Sequence, residues 1–297
     1  MDIGFPCIEC LLRMEFGHIR DRADKQARLA CAKELLAALA GAPAGVSPPE
    51  IVPALDAICA KYFDTGADPQ RALKERSGKI MLERLPDIRK AVFSVADPLY
   101  AALQYSRIGN YIDFASFGDC VDFHRLDELL ASARTYPIEE TEYRRFREDL
   151  RCGSSLLLLT DNAGEIVLDR LLLEALRQEY PALELTVCVR GGPALNDALR
   201  EDAEAAGIPA LARLIDSGAA ISGTSIRRLG SEARQAMETA SVILSKGQGN
   251  LETLLGCGRN IYYLFLCKCA QFTEMFHVPA MTGMFLNEQR MPAENFR

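Results

Sequence analysis

The sequence predicts an α/β fold: a three-layer αβα domain with a mainly parallel sheet over residues 151–297, preceded by an all-helical N-terminal region over residues 1–150. Three observations carry this. The run Leu156 to Leu159 has no polar partner on either face, so it reads as a strand buried on both sides, and it stops at Thr160, Asp161 and Asn162. After Ser154 the apolar runs are short, each ends on a polar residue, and helical stretches separate them. Before Ser154 the apolar spacing is helical almost throughout.

Cys7-Ile8-Glu9-Cys10 opens the first helical pattern, with Leu11, Leu12, Met14 and Phe16 behind it, and His18 reads as an ordinary surface or partly buried histidine. A second helix runs from Asp21 to about Leu39 and ends at the glycine and proline cluster Gly41 to Gly45. Ser47-Pro48-Pro49-Glu50 starts a third, through Ile51 to Tyr62. Asp64 to Pro69 is a turn, followed by one helix from about Gln70 to Leu85, interrupted by Ser77 and Gly78, and another from Pro86 to Ala96. Asp97-Pro98 starts a helix that reaches Gly109, Asn110 and Asp113, a cluster that either turns the chain or points polar groups into a cleft. His124, Leu126 and Leu129 begin a short helical piece, and the charged stretch Ile138 to Leu150 ends the region.

The strands expected next are LLLLT before Asp161, LTVCV before Arg190, LARLI before Asp216, SVILS before Lys246 and IYYLFLC before Lys268. Their alternation with helices is the order of a Rossmann-like domain. Right-handed crossovers put every strand's carboxyl end on one edge, so Asp161, Arg190, Asp216, Lys246 and Lys268 are expected to converge there. Ala163 and Gly164 make a tight turn into a helix that starts at Glu165, and Asp161 either caps that helix or belongs to a site.

Composition narrows the function. A net charge of -7 on 297 residues argues against a general nucleic-acid binder, which needs clustered Lys and Arg. No run approaches the roughly 18 apolar residues of a membrane span, and the first residues lack the basic-then-apolar order of a signal peptide, so a cytoplasmic protein is expected. The ten cysteines are scattered, which favours reduced thiols over a disulfide framework. Cys7 with Cys10 is half of a possible metal site at most, and structural or redox readings stay open.

At the sheet edge, Arg190-Gly191-Gly192-Pro193 is a turn that lets backbone approach a ligand, and Asp197 after Asn196 either caps the next helix or supplies a second carboxylate. Lys246-Gly247-Gln248-Gly249-Asn250 combines exposed N–H groups, a helix start and a lysine, a plausible phosphate cradle that lacks the order of a Walker P-loop. Lys268 ends a very apolar strand, where it needs an anionic partner, either a buried carboxylate or a phosphate. Two carboxylates and an amide oxygen suit a hard divalent cation, and two lysines suit phosphate oxygens, which together give metal-assisted phosphoryl chemistry.

These residues resemble the metal-dependent damage-control phosphatases, formerly a domain of unknown function, in their prokaryotic branch with an N-terminal CxxC. The resemblance rests on Cys7-x-x-Cys10, Asp68-Pro69, Gly109-Asn110-x-x-Asp113, Asp161-Asn162-Ala163-Gly164-Glu165, Arg190-Gly-x-Pro193 with Asn196-Asp197, Lys246-Gly-x-x-Asn250 and Lys268-Cys269, in order over nearly the whole chain. It implies a divalent metal (Mn, Mg, Co or Ni) held by Asp161, Asn162 and Asp197. It also implies catalytic roles for Asp161, Asn162 and Lys268, and substrate contacts from Asn110, Lys246, Gly247, Asn250 and Lys268. The implied substrates are small phosphorylated metabolites, including sugar phosphates and phosphopantetheine-type compounds. One departure is Cys267, an extra thiol just before the lysine.

A covalent aspartyl-phosphate route is disfavoured, since the DxDx[TV] order is missing. Two other readings compete with the phosphatase: a non-catalytic protein that binds a phosphometabolite or metal through the same glycine loops and lysines, which shows no phosphatase activity with any metal, and a nucleotide-dependent transferase, which needs an adenine-sized pocket. A thiol-metal or redox protein is a third, resting on Cys7.

Overall fold

The computed structural model describes residues 1–64, 66, 68, 70–112 and 122–291. Pro69 and Asp113 of the sequence motifs lie outside the described residues. Five strands are parallel: β1 (Ser155–Leu159), β2 (Glu184–Val189), β3 (Arg213–Asp216), β4 (Val242–Lys246) and β5 (Ile261–Cys267). A sixth, β6 (Thr282–Asn287), runs antiparallel to β5 at one edge. The sheet order is β3-β2-β1-β4-β5-β6, so the direction of winding reverses between β1 and β4. That reversal opens a crevice at the carboxyl ends of those two strands, where open α/β sheets bind ligands. The mainly parallel sheet and the N-terminal helices stand as expected; β6 was not anticipated, because Thr282-Gly283-Met284 carries a weak strand signal beyond the last βα unit.

The helical region contains α1 (Phe5–Ile19), α2 (Lys25–Ala40), α3 (Pro48–Tyr62), α4 (Arg71–Phe93), α5 (Pro98–Gly109), α6 (Phe123–Ala131) and α7 (Glu140–Cys152). Local chemistry fixes their starts. The Asp24 carboxylate accepts from the N–H groups of Gln26 and Ala27, Asp97 accepts from Tyr100, and Glu50 reaches back to the Ser47 N–H at 2.9 Å. The expected break at Pro86 does not occur: α4 is continuous through it. Pro86 forfeits one helix hydrogen bond, but Met81, Leu85, Ile88 and Val92 form one buried stripe along both halves, and bending the helix would expose part of it.

Helices α8 (Ile166–Glu179), α9 (Arg200–Ala205), α10 (Ser231–Thr239), α11 (Gln248–Leu254) and α12 (Ala270–Phe276) complete the layers. Strand alternation sorts the core into two faces. Leu156, Leu158, Val242, Leu244, Tyr262 and Leu264 pack with α4, α5, α7 and α8. Leu157, Leu159, Ile243, Tyr263 and Phe265 pack with α10, α11 and α12. Helices α1 to α3 close a smaller core of their own around Leu11, Leu35 and Leu55.

Candidate functional site

The site begins where β1 ends. Beyond Leu159 the chain pairs with the segment before α9: the N–H of Ala163 donates to Asn196 O, the N–H of Ala198 donates to Asp161 O at 2.7 Å, and Asn162 and Asp197 form a β-bridge. This short ladder brings Asp161, Asn162 and Asp197 together, although 35 positions separate the last two. Tertiary pairing, rather than helix capping, holds Asp197: the N–H of Leu199 is capped by Asp202 instead.

The carboxylate of Asp161 sits at the crevice, 7% exposed. Its Oδ2 accepts from Asn110 Nδ2 at 2.7 Å and from Asn162 Nδ2 at 2.8 Å, and its Oδ1 lies 4.0 Å from the guanidinium of Arg190. The same two amides also donate to Glu165 Oε2, at 3.1 and 2.7 Å. Asn110 is held in turn by the N–H of Leu266, which donates to its Oδ1. Asn110 thus ends α5 and also turns its side chain to Asp161, so at this residue the two readings coincide.

Asp197 is buried, and its Oδ2 accepts from Arg190 Nε at 2.5 Å while Ser222 Oγ donates to its Oδ1 at 2.8 Å. Burial pushes its carboxyl above the usual range, against the pull of Arg190 and the Ser222 hydroxyl. Arg190 also donates to Thr160 O and Thr224 Oγ1, so one fully buried guanidinium braces both strand ends.

Lys246 is placed differently from the sequence expectation. Its side chain is completely buried, and Nζ donates to Asp169 Oδ1 at 2.6 Å and to Glu165 Oε1 at 2.7 Å, on consecutive turns of α8. Burial opposes the ammonium, but the two carboxylates outweigh it and hold its pKa above the ordinary value. Burial raises the Asp169 carboxyl above its ordinary value and the charge of Glu165 adds to this, against the pull of Lys246. The expected phosphate contact is therefore corrected to a site beneath the crevice floor. Asn250 is interior too: its amide donates to Thr160 O and Lys246 O, and its oxygen accepts from Thr224.

Gly247 has φ +76°, and a Cβ there would lie 2.1 Å from the Asp161 carboxylate, so only glycine permits the close approach. Its N–H donates to Leu264 O. Gln248 ties this loop to the next one: its Oε1 accepts from the backbone N–H groups of Lys268 and Cys269. The half-buried Lys268 donates from Nζ to Asn110 O at 2.7 Å. Of the N–H groups that the sequence reading assigned to a phosphate cradle, that of Gly247 is thus occupied. Asp216, at the outer strand β3, pairs with Arg200 near the surface, apart from the others.

Sequence reasoning placed Arg190 at the sheet edge and Glu165 at a helix start but gave neither a role in the site. The signal for Glu165 was its i, i+4 spacing with Asp169 at the start of a helix, two acids among the apolar residues Ile166, Val167, Leu168 and Leu172, where they require a cation.

The groups at the crevice are two carboxylates and a carboxamide on two paired segments, with the glycine backbone of residue 247 closing one side; the carboxamide turns its Nδ2 to Asp161 and its Oδ1 accepts from Asn196 Nδ2 at 2.6 Å. The two carboxylates fit a hard divalent cation. A second group with metal-ligand spacing, Glu15, His18 and Asp56, lies on α1 and α3, away from the sheet edge. The nine cysteines among the described residues are free thiols, and no described helix is long and apolar enough to cross a membrane.

The comparisons agree on one family. The profile of the damage-control phosphatase ARMT1-like domain matches residues 6–282. A damage-control phosphatase of Pyrococcus horikoshii is 31% identical over 200 residues, covering 67% of this chain and 68% of that one. One of Archaeoglobus fulgidus is 32% identical over 204 residues, 68% and 69% of the two chains. An uncharacterised protein of Methanocaldococcus jannaschii is 30% identical over 236 residues, 76% and 75%. The crystal structure of a DUF89 family protein from Pyrococcus horikoshii superposes with a TM-score of 0.80 at 25% identity, over 97% of this chain and 99% of that one. With a family profile over nearly its whole length and a matching fold, the chain belongs to the ARMT1-like damage-control phosphatase family and is a phosphatase.

Proposed function

We propose that the chain hydrolyses small phosphomonoesters, of the sugar-phosphate or phosphopantetheine type, in a reaction that depends on a divalent metal held by Asp161, Asn162 and Asp197. The observation that supports this reading is the pairing of the Asp161–Asn162 segment with the Asp197 segment at the β1/β4 crevice of a family phosphatase. When bound, the cation would polarise a phosphate oxygen and activate water. The chain's own residues do the rest. Asn110 holds the Asp161 carboxylate in place, and Arg190 offsets the charge of Asp197. Lys268, anchored on the carbonyl of Asn110, stands at the rim as the cation for the transferring phosphate. Lys246 and Asn250 act as positioning residues, the first by orienting Glu165 and the second by fixing the Thr160 carbonyl. The free thiols fit a reducing, cytoplasmic compartment.

Turnover of an aryl phosphate by the purified chain, assayed with Mn, Mg, Co and Ni, tests this. Asp161→Asn should reduce turnover by roughly 10²-fold or more with circular dichroism unchanged. Wild-type turnover that persists in excess chelator, or an Asp161→Asn variant as active as wild type, would overturn the reading.

A further inference from the structure

A second place in the molecule has the chemistry of a metal centre, and the phosphatase reading does not use it. Glu15 and His18 are three apart on α1 and share a face, as do Asp56 and Cys59 on α3, which packs against α1. Ligand atoms of Glu15, His18 and Asp56 all lie within 4.8 Å of one another. The Glu-x-x-His spacing on one helix facing an acid on its neighbour is how helical bundles build carboxylate metal sites.

The group is unbalanced without a cation. Glu15 is fully buried, its Oε2 accepts from the Cys59 thiol at 3.4 Å and lies 3.6 Å from His18 Nδ1, and its Oε1 has no hydrogen-bond partner. An unpaired carboxylate oxygen in a protein interior is a costly group that a bound ion would satisfy. The carboxyl of Asp56 is pushed up to about 6, by burial first and then by the charge of Glu15. His18 and Asp56 are exposed, so an ion can enter from solvent while Glu15 closes the inner side.

We propose that Glu15, His18 and Asp56 form a binding site for a divalent transition metal of the zinc class, which clamps α1 to α3. One imidazole nitrogen and two carboxylate oxygens, beside a buried thiol, select such an ion over calcium or magnesium. The site is separate from Asp161, Asn162 and Asp197, so it stands or falls independently of the phosphatase reading.

Zinc alone is the probe. The chelator-treated full chain is dialysed against zinc chloride, and bound metal and thermal midpoint are measured for wild type, His18→Ala, Asp56→Asn, Asp161→Asn and the double variant Asp161→Asn/His18→Ala. His18 and Asp56 are surface positions, and circular dichroism checks that their variants fold. Wild type should hold one more zinc per chain than His18→Ala, Asp161→Asn should hold one more than the double variant Asp161→Asn/His18→Ala, and zinc should raise the midpoint of wild type but much less that of His18→Ala and Asp56→Asn. Zinc content and zinc-induced stabilisation equal in wild type, His18→Ala and Asp56→Asn would overturn the site, as would no zinc uptake by wild type.

Discussion

Two lysines end neighbouring strands, and their environments assign them opposite duties. Lys246 is sealed under the crevice against Glu165 and Asp169, whereas Lys268 is half-buried and bonded to a carbonyl. Removing one partner of a buried ion group strands the charges left behind, so Lys246→Met should cost about 3–5 kcal/mol of stability. Lys268→Ala should cost only about 1 kcal/mol while lowering kcat/KM at least tenfold. Urea denaturation and steady-state kinetics on both variants check this; a Lys246→Met protein as stable as wild type would refute the burial argument. The residues themselves were legible, because Asp161, Asn162, Lys246 and Lys268 each interrupt an apolar run at a strand end. What was not weighed was parity. Lys246 shares its side of β4 with Val242 and Leu244, so it faces the α5 and α8 layer and meets the Ser106 carbonyl of α5 and the acids Glu165 and Asp169. The Asp197 partnership was illegible for another reason: it depends on a two-segment ladder formed after the chain returns from β2.

At the scale of elements, the third helix is tied to the sheet domain through its first turn. Glu50 caps Ser47 and also accepts from Ser225 Oγ at 2.6 Å and Arg227 at 2.6 Å. Burial works to raise its carboxyl, but Arg227, Ser225 and the Ser47 N–H outweigh it and bring the pKa down from 4.5 to about 2. A carboxyl lowered in the folded state stabilises fully above its unfolded pKa and loses that contribution as pH falls through its folded one. Glu50→Gln should therefore be less stable than wild type by about 1–2 kcal/mol at neutral pH. The gap should narrow below pH 4.5, the ordinary value, toward pH 2. Urea midpoints from about pH 7 down to about pH 3 would show it; a gap independent of pH would mean the carboxylate charge is not what binds the two elements. The start of this helix was readable because Ser-Pro-Pro-Glu is a local capping signal. Its tether to Ser225 and Arg227, 175 and 177 positions away, was not.

The whole molecule has two kinds of core, and they should open at different free energies. Strands β1 and β4 lie at the centre of the sheet, covered on both faces by the two large clusters. Helices α1 to α3 enclose only their own cluster, and polar contacts tie this N-terminal region to the rest: Glu50 to Ser225, the Cys7 thiol to Gln271, and the N-terminal ammonium to Glu252 O. Helix α2 packs on α1 and α3. Sub-global openings span the range from near zero to the full stability, and a small cluster with polar anchors belongs low in it. Amides of α2 should thus exchange through an opening several kcal/mol below the global one, while those of β1 and β4 exchange only on complete unfolding. Hydrogen exchange followed by mass spectrometry separates the two, and equal protection would mean that the helical cluster unfolds only with the sheet. The consequence reaches the site, because α3 packs on α11 and α1 on α12. Those are the helices that follow Lys246 and Lys268, with Gln248 bridging their first turns. An opening of α1 to α3 therefore removes support from both lysine loops at once, so exchange at Gln248 and Lys268 should rise together with exchange in α2.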